Sequence, residues 1–389
     1  MVTSGEGRIT VTDLYREEVA RILGVEVQRI SLYWKGRVAL FALLKAMNVG
    51  KGDEVLLPAY TCVVVPNAIM YLGAKPVYVD IERDTLCMNV SEVESRITPR
   101  TRVILAQNTF GLSAGVDGIA RLGKKYGIHT IEDCTHGFGG AYNGVPNGTV
   151  CDAAFYSSQW NKPFSTGIGG ISVVNNDDVL SNLDRVNSDL VSPGVYETIN
   201  LAALQIFARH VLDTRLYWSL VDIYRKLSKT GFVVGSSSGP ELEGVMPNKY
   251  FKGFSQVQAK EGVTQLRRFS RILGERKGVA ARYGNALEEM DKRRVPRCLY
   301  GNHSFLRYPV WLKDKKRFFD SARKARVKVG DWFMSPLHPV VNNLERWGFN
   351  AAEYPVAVHA TRHVANLVPD VREESGTLAL IESEASNIL

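Results

Sequence analysis

Cysteine is scarce in this sequence, and none of it falls in a metal-binding spacing. The five cysteines among 389 residues form no C-x-x-C pair, and no two histidines have the spacing of zinc ligands. An odd number of scattered cysteines argues against a disulfide framework, and the missing motifs argue against structural zinc. We therefore expect a reduced, cytoplasmic protein that holds no metal.

The sequence also lacks a long uncharged apolar run and a basic-then-apolar signal at its N-terminus. Its most apolar long segment, residues 201–227, contains ionisable side chains that include Arg209, His210, Asp213, Arg215, Asp222 and Arg225. Because burying these groups in hydrocarbon is costly, the segment predicts an amphipathic helix rather than a membrane span.

Charge of either sign is not concentrated in any long block. The formal net charge is +8, and the densest basic patches lie at 267–268, 292–294 and 313–317. Short patches of this kind are typical of solvated faces rather than of nucleic-acid interfaces, so we expect no nucleic-acid partner. The modest positive excess suits an anionic substrate or cofactor without identifying one.

Strand-like and helical patterns alternate through residue 175, which predicts an α/β fold with a mostly parallel, doubly wound sheet. Ligands bind such sheets at the carboxyl ends of their strands. We predict a loop at 235–240 and then a long helix over 255–290, which leads to a smaller α/β tail with a helix over 353–367. The 389 residues, 45% of them hydrophobic, suffice for two domains, which we expect at 1–253 and 254–389.

Lys162 is the strongest candidate for a chemical role. It lies in a polar and aromatic run between two β-prone segments, 153–155 and 171–174, and a glycine-rich turn follows it. A lysine between buried strands loses solvent, which lowers its pKa and makes its amine a nucleophile that can form a Schiff base. The alternative is an ordinary solvated loop lysine.

Asp133 follows the predicted strand 128–131 and should lie at a carboxyl edge of the sheet. A carboxylate there can hold the proton on a pyridine nitrogen and keep that ring an electron sink, as pyridoxal phosphate (PLP) enzymes require. The alternatives are a helix cap and a surface acid.

A phosphate site is predicted where a helix opens at Gly36, because helix N-termini bind anions. Arg37 can add a charge-assisted bond, and Ser157, five positions before Lys162, can present a hydroxyl. The alternative is an ordinary helix start. The glycines at 137–140 lack the G-x-G-x-x-G spacing, so we reject a dinucleotide site there.

Several short motifs together resemble the DegT/DnrJ-type sugar aminotransferases, over nearly the whole chain except about 190–246. They are KGRVAL at 35–40, GDEV at 52–55, PAYT at 58–61, GAKPVYVD at 73–80, IEDC at 131–134, the Lys162 stretch, ARY at 281–283, PLH at 336–338 and NL at 366–367.

The resemblance implies a fold-type I PLP enzyme that works as a homodimer with shared sites. It matches Lys162 to the Schiff-base lysine, Asp133 to the partner of the pyridine nitrogen and Ser157 to the phosphate-binding serine. Gly36 and Arg37 fall where the family contacts phosphate.

Some family positions carry other residues here. Cys62 stands where the family usually has an aromatic residue, four positions after Pro58, and we expect it among the cofactor-binding residues; Tyr60 is the alternative substitute for the aromatic residue. His136 replaces a glutamine and can still hydrogen-bond the cofactor's phenolic oxygen.

Two further departures concern the neighbouring subunit and the small domain. Phe251 replaces the asparagine that reaches the neighbour's phosphate, leaving Lys252 or Asn248 as stand-ins, and Trp332 replaces a histidine. Residues 190–246 are an apparent insertion, which would serve as a lid or as a contact helix for a partner. Membrane contact there is possible but not favoured.

The resemblance implies transfer of an amino group from glutamate or glutamine to a keto sugar, with a nucleotide-linked sugar or a keto-cyclitol as acceptor. A sugar dehydratase is disfavoured because those relatives carry histidine where Lys162 stands. A non-catalytic regulatory or scaffold protein is the alternative of a different class.

Overall fold

A computed structural model describes residues 9–211 and 238–389. Its centre is a seven-stranded sheet in the order β1-β10-β9-β6-β5-β2-β4. The strands are β1 (Ile30–Tyr33), β2 (Glu54–Pro58), β4 (Lys75–Val79), β5 (Thr101–Gln107), β6 (His129–Asp133), β9 (Ala153–Ser157) and β10 (Gly170–Val174). The five strands from β4 to β9 run parallel, while β10 and β1 join antiparallel at one edge. The predicted α/β architecture with a mostly parallel sheet is confirmed.

Helices cover this sheet on both faces, which explains why every residue of β2, β9 and β10 is buried. They are α1 (Val11–Leu23), α2 (Gly36–Ala46), α3 (Val64–Met70), α4 (Val90–Arg96), α5 (Val116–Tyr126), α6 (Asp177–Asn187) and α7 (Val195–Val211). The predicted helix start at Gly36 is confirmed. Helix α1 begins with a capping box, in which the Thr10 side chain accepts from the Asp13 backbone N–H and the Asp13 side chain accepts from that of Thr10.

The segment after residue 237 adds helices and a second, three-stranded sheet. The helices are α8 (Gly239–Leu242), α9 (Gln256–Leu266), α10 (Phe269–Glu289), α11 (Lys315–Ala325), α12 (Pro355–His363) and α13 (Glu374–Ser383). The sheet has the order β11-β14-β12, formed by Tyr308–Trp311, Val364–Leu367 and Val329–Gly330. The remaining short strands are β3 (Thr61–Cys62), β7 (Ala141–Tyr142), β8 (Val145–Pro146) and β13 (Leu337–His338).

Three sequence expectations for this half need correction. The helix expected over 255–290 is two helices, because α9 packs on α1 whereas α10 packs on α13, and the chain turns between them. The helix expected over 353–367 ends at His363, since 364–367 pair with strands on both sides as β14. The loop expected at 235–240 is helical from Gly239; residues 235–237 lie outside the described residues.

Strands β3 and β13 connect the two halves of the chain. They pair in parallel, with Leu337 opposite Thr61 and His338 opposite Cys62. The division into domains at 253–254 stays a prediction. Within residues 9–211 and 238–389, no helix is both long and apolar enough to cross a bilayer. The predicted amphipathic helix over 201–227 coincides with α7 as far as residue 211, and the rest of it is not described.

Candidate active site

Asp133 and Ser157 end neighbouring parallel strands at the same edge of the central sheet. Asp133 is the last residue of β6, opposite Phe155 of β9, and Ser157 is the last residue of β9. Both side chains are buried. The Asp133 Oδ1 accepts a hydrogen bond of 2.9 Å from the Thr135 backbone N–H, which fixes the direction of the carboxylate. Strand ends therefore place a carboxylate and a hydroxyl where a ligand of this sheet would bind.

Lys162 lies in the segment between β9 and β10, beside Asp133. Burial lowers the pKa of Lys162 to about 8, and the negative charge of Asp133 opposes that shift. Burial raises the pKa of Asp133, whereas its bonds to Thr135 and the charge of Lys162 lower it. The Nζ of Lys162 is 5.3 Å from the centroid of the Trp332 ring. The structure thus brings together the two residues that the sequence offers as the catalytic pair.

The N-terminus of α2 abuts Ser157. A Cβ at Gly36 would lie 2.9 Å from the Cβ of Ser157, too close for any residue larger than glycine. Glycine therefore allows the first turn of the helix to reach the serine at the strand end. Backbone N–H groups at a helix start favour an anion, so Gly36 and Ser157 together offer donors to a phosphate.

Arg37 pairs with an acid that sequence analysis missed. Its Nη1 is 2.5 Å from Oε1 of Glu241, and both side chains are buried. Burial alone would raise the pKa of Glu241, but Arg37 and Lys35 lower it to about 2. Glu241 belongs to α8, inside the apparent insertion 190–246. No sequence signal connects residues that are 204 positions apart.

Two lysines extend this cluster of charges. Burial and, to a smaller extent, the positive charge of Arg37 lower the pKa of Lys35 to about 8. The Nζ of Lys252 lies 2.5 and 2.7 Å from the two carboxylate oxygens of Glu197, another residue of the insertion. The segment 190–246 therefore supplies two acids, Glu197 and Glu241, to the basic cluster around the start of α2. The roles predicted for Arg37 and Lys252 stay predictions.

His136 is held as a neutral ring beside Trp332. The two rings stack with centroids 5.0 Å apart and planes 6° apart. Burial, together with the charges of Lys162 and Arg307, holds the pKa of His136 well below its ordinary value. Its Nδ1 accepts a 3.2 Å bond from the Phe110 N–H, so Nε2 carries the proton. His136 is thus a hydrogen-bond donor through Nε2.

Cys62 and Tyr60 occupy different places in this site. Cys62 is half-buried and close enough to contribute to the electrostatic environment of Lys162 and Arg37. The Tyr60 hydroxyl accepts a 3.2 Å bond from the N–H of Phe333, and the two rings meet edge to face at 4.8 Å. Tyr60 therefore fixes the Trp332–Phe333 segment, and its role as an aromatic substitute stays a prediction.

The residues present fit PLP. A half-buried lysine of lowered pKa can react with its aldehyde, a carboxylate at a strand end suits its ring nitrogen, and the helix start beside Ser157 suits its phosphate.

The fold and this site define a fold-type I PLP-dependent transferase, which confirms the predicted fold. The model of the DegT/DnrJ/EryC1/StrS aminotransferase family matches residues 14–192 and 219–374. The chain belongs to this family, which is PLP-dependent. The match is interrupted inside the apparent insertion 190–246.

Known relatives resemble this chain in part. GDP-perosamine synthase of Escherichia coli O157:H7 is 38% identical over 154 residues, 40% of this chain and 42% of that protein. L-Glutamine:2-deoxy-scyllo-inosose aminotransferase of Streptomyces fradiae is 32% identical over 154 residues, 40% of this chain and 36% of that protein. The chain thus matches less than half the length of these two relatives.

A solved structure agrees over almost all of this chain. NtdA of Bacillus subtilis, crystallised with the cofactor PMP, superposes with a TM-score of 0.72 over 98% of this chain and 78% of NtdA. The two sequences are 18% identical, so this similarity supports the fold alone.

Proposed function

We propose that this protein is an aminotransferase that moves an amino group from an amino acid to the carbonyl carbon of a keto sugar. The observation that carries the proposal is the half-buried Lys162, whose pKa is lowered to about 8, beside the buried Asp133 at the carboxyl edge of the sheet. Family membership supports the same class of reaction. PLP, when bound, supplies an electron sink for a developing carbanion.

Each site residue then has a defined task. The Lys162 amine binds the cofactor and afterwards carries a proton to and from the substrate carbon, and its pKa of about 8 suits both directions. Asp133 keeps the proton on the ring nitrogen. Gly36 and Ser157 would hold the phosphate, and the Nε2–H of His136 would donate a hydrogen bond to the ring oxygen.

The acceptor we propose is a nucleotide-linked keto sugar, and the donor is glutamate or glutamine. The basic residues around α2 and Lys162 suit a substrate that carries phosphate. A keto-cyclitol is the second candidate, because one of the relatives is named for such an acceptor. Both acceptors use the same residues.

A direct test uses the protein loaded with the amino form of the cofactor. Nucleotide-linked keto sugars and keto-cyclitols are added one at a time, and return of the aldehyde form is followed by absorbance. The proposal predicts return with at least one acceptor, and none with the Lys162→Gln variant. No reaction with any acceptor, despite full cofactor loading, would favour a non-catalytic protein.

We further propose a cytoplasmic homodimer. All five cysteines are free thiols, which suits a reducing compartment. Helix α7 presents an exposed apolar stripe formed by Val195, Tyr196, Ile199, Ile206 and Phe207. Such a stripe is unusual on a solvated helix and suits burial against a second copy of the chain.

A further inference from the structure

Two arginines outside the proposed catalytic pair approach Lys162 from the second half of the chain. Arg276 lies on α10, and its Nη2 donates a 3.0 Å hydrogen bond to the carbonyl of Pro163. Pro163 follows Lys162 directly in the chain. The guanidinium of Arg276 is therefore fastened to the segment that carries the lysine.

Arg307 shares an aromatic surface with the lysine. Its Cζ is 4.9 Å from the centroid of the Trp332 ring, and the Nζ of Lys162 is 5.3 Å from the same centroid. The Arg307 backbone N–H donates to the Phe110 carbonyl at 3.1 Å, which fixes the residue just before β11. Two cations thus lie against one indole ring.

The charges of the arginines act on each other and on the site. The positive charge of Arg307 lowers the pKa of Lys162, and it lowers that of Arg276 as well. Burial is the largest cause at Arg276; the negative charge of Asp370 opposes the shift, and the resulting pKa is about 10. Arg307 is therefore close enough to Lys162 and to Arg276 to repel each of them.

One donor of this group has no acceptor in the described part of the chain. The Nη1 of Arg276 is buried and makes no hydrogen bond to residues 9–211 or 238–389. Buried donors are almost always hydrogen-bonded, and a buried charged donor left unpaired is costly. A guanidinium also presents its N–H groups as a fork that matches the two oxygens of a carboxylate or phosphate.

We propose that Arg276 and Arg307 form a recognition site for an oxyanion of the substrate, next to Lys162 and against Trp332. This inference rests on the proposed function and deepens it. The oxyanion is the carboxylate of the amino donor or the diphosphate of a nucleotide-linked acceptor, which share the same chemistry. Because the two substrates react in separate half reactions, the two sources can be distinguished.

The test measures each half reaction in single turnover, for the parent, Arg276→Gln and Arg307→Gln. Arg271→Gln is the matched control, because Arg271 lies on the same helix, its side chain is 72% exposed and its ion pair with Glu275 is long, at 3.8 Å. Cofactor absorbance is recorded first, to show that every variant is loaded. Inorganic pyrophosphate and glutarate serve as additional probes, tested as competitors of the parent.

We expect both arginine variants to load cofactor normally and to need about ten- to a hundredfold more of one substrate for half-saturation, as loss of a charge-assisted bond implies. The control should stay within about twofold of the parent, an interval in keeping with a change at an exposed site. If the affinity falls only for glutamate or glutamine, and glutarate competes, the oxyanion is the donor's carboxylate. If the affinity falls only for the nucleotide-linked sugar, and pyrophosphate competes, the oxyanion is the acceptor's diphosphate.

The inference would be overturned if both variants were half-saturated by each substrate at the same concentration as the parent. The proposed function would then remain intact. If a glutamine variant fails to fold, Arg276→Lys and Arg307→Lys keep the charge without the fork and should weaken the same substrate. Failure of the parent itself to react with any donor or acceptor would refute the proposed function, and this inference with it.

Discussion

Arg37 at the start of α2 and Glu241 of α8 form a buried ion pair, with Nη1 2.5 Å from Oε1. The pair joins the proposed phosphate site to the apparent insertion 190–246 across 204 positions of sequence. Glu197, from the same insertion, pairs with Lys252. Two acids of the segment 190–246 therefore contribute to the electrostatics of the site, whether or not the whole segment is an insertion.

Removing the acid of this pair should destabilise the fold. In Glu241→Gln the buried Arg37 loses its charged partner, and breaking a buried pair in this way costs about 3 kcal/mol or more. Glu243→Gln is the matched control, since Glu243 adjoins the same helix and its pair with Arg346 is exposed. Urea unfolding of the cofactor-free proteins checks this, and equal midpoints for the two variants would contradict it.

Lowering the pH should reduce the stability of the parent protein through protonation of Glu241. The pKa of Glu241 is lowered from 4.5 to about 2, so its contribution to stability is complete above pH 4.5 and is lost as the pH falls toward 2. The free energy of unfolding should therefore fall more steeply over this range in the parent than in Glu241→Gln. Parallel curves for parent and variant would show that Glu241 titrates normally.

Asp133→Asn should keep the fold and the bound cofactor but slow both half reactions about a hundredfold. Asparagine has nearly the same size, yet it carries no charge to hold the proton on the ring nitrogen, and electrostatic stabilisation of this kind is often worth about 3 kcal/mol. Asp184→Asn, an exposed change on α6, is the control. Rates within a fewfold of the parent would make Asp133 a structural residue that serves Thr135 alone.

The apolar stripe on α7 should control assembly. Ile199→Glu combined with Ile206→Glu places two charges where a second copy would pack, so we expect a monomer in sedimentation velocity. Val371→Glu alters an exposed apolar residue elsewhere and should leave the dimer unchanged. A doubly substituted protein that sediments like the parent would remove α7 from the interface.

The sheet and the pair Lys162–Asp133 could be predicted because their signals are local. Alternating strands and helices specify a parallel sheet, and residues that follow its strands must gather at one edge. Short strands are more difficult to predict. Strand β14 has four residues, too few to show the alternation typical of a strand, and it follows directly on the helix before it.

The charged surroundings of the pair could not be predicted, because they depend on contacts between distant parts of the chain. Glu241, Arg276 and Arg307 resemble ordinary surface charges in the sequence, and only the packing of their helices and strands buries them or turns them toward Lys162. Trp332 was visible as a departure from the family, but its stacking on His136 follows from the tertiary fold.

The central claim is that Lys162 binds the cofactor through its amine, and borohydride reduction tests it most directly. The parent is saturated with PLP, reduced and digested, and its peptides are weighed by mass spectrometry. Lys162→Gln, carried through the same steps, is the control. We predict that the mass of the reduced cofactor appears on the peptide that contains Lys162, and on no peptide of the control. Label on a different lysine of the parent, or on none at full saturation, would contradict the account.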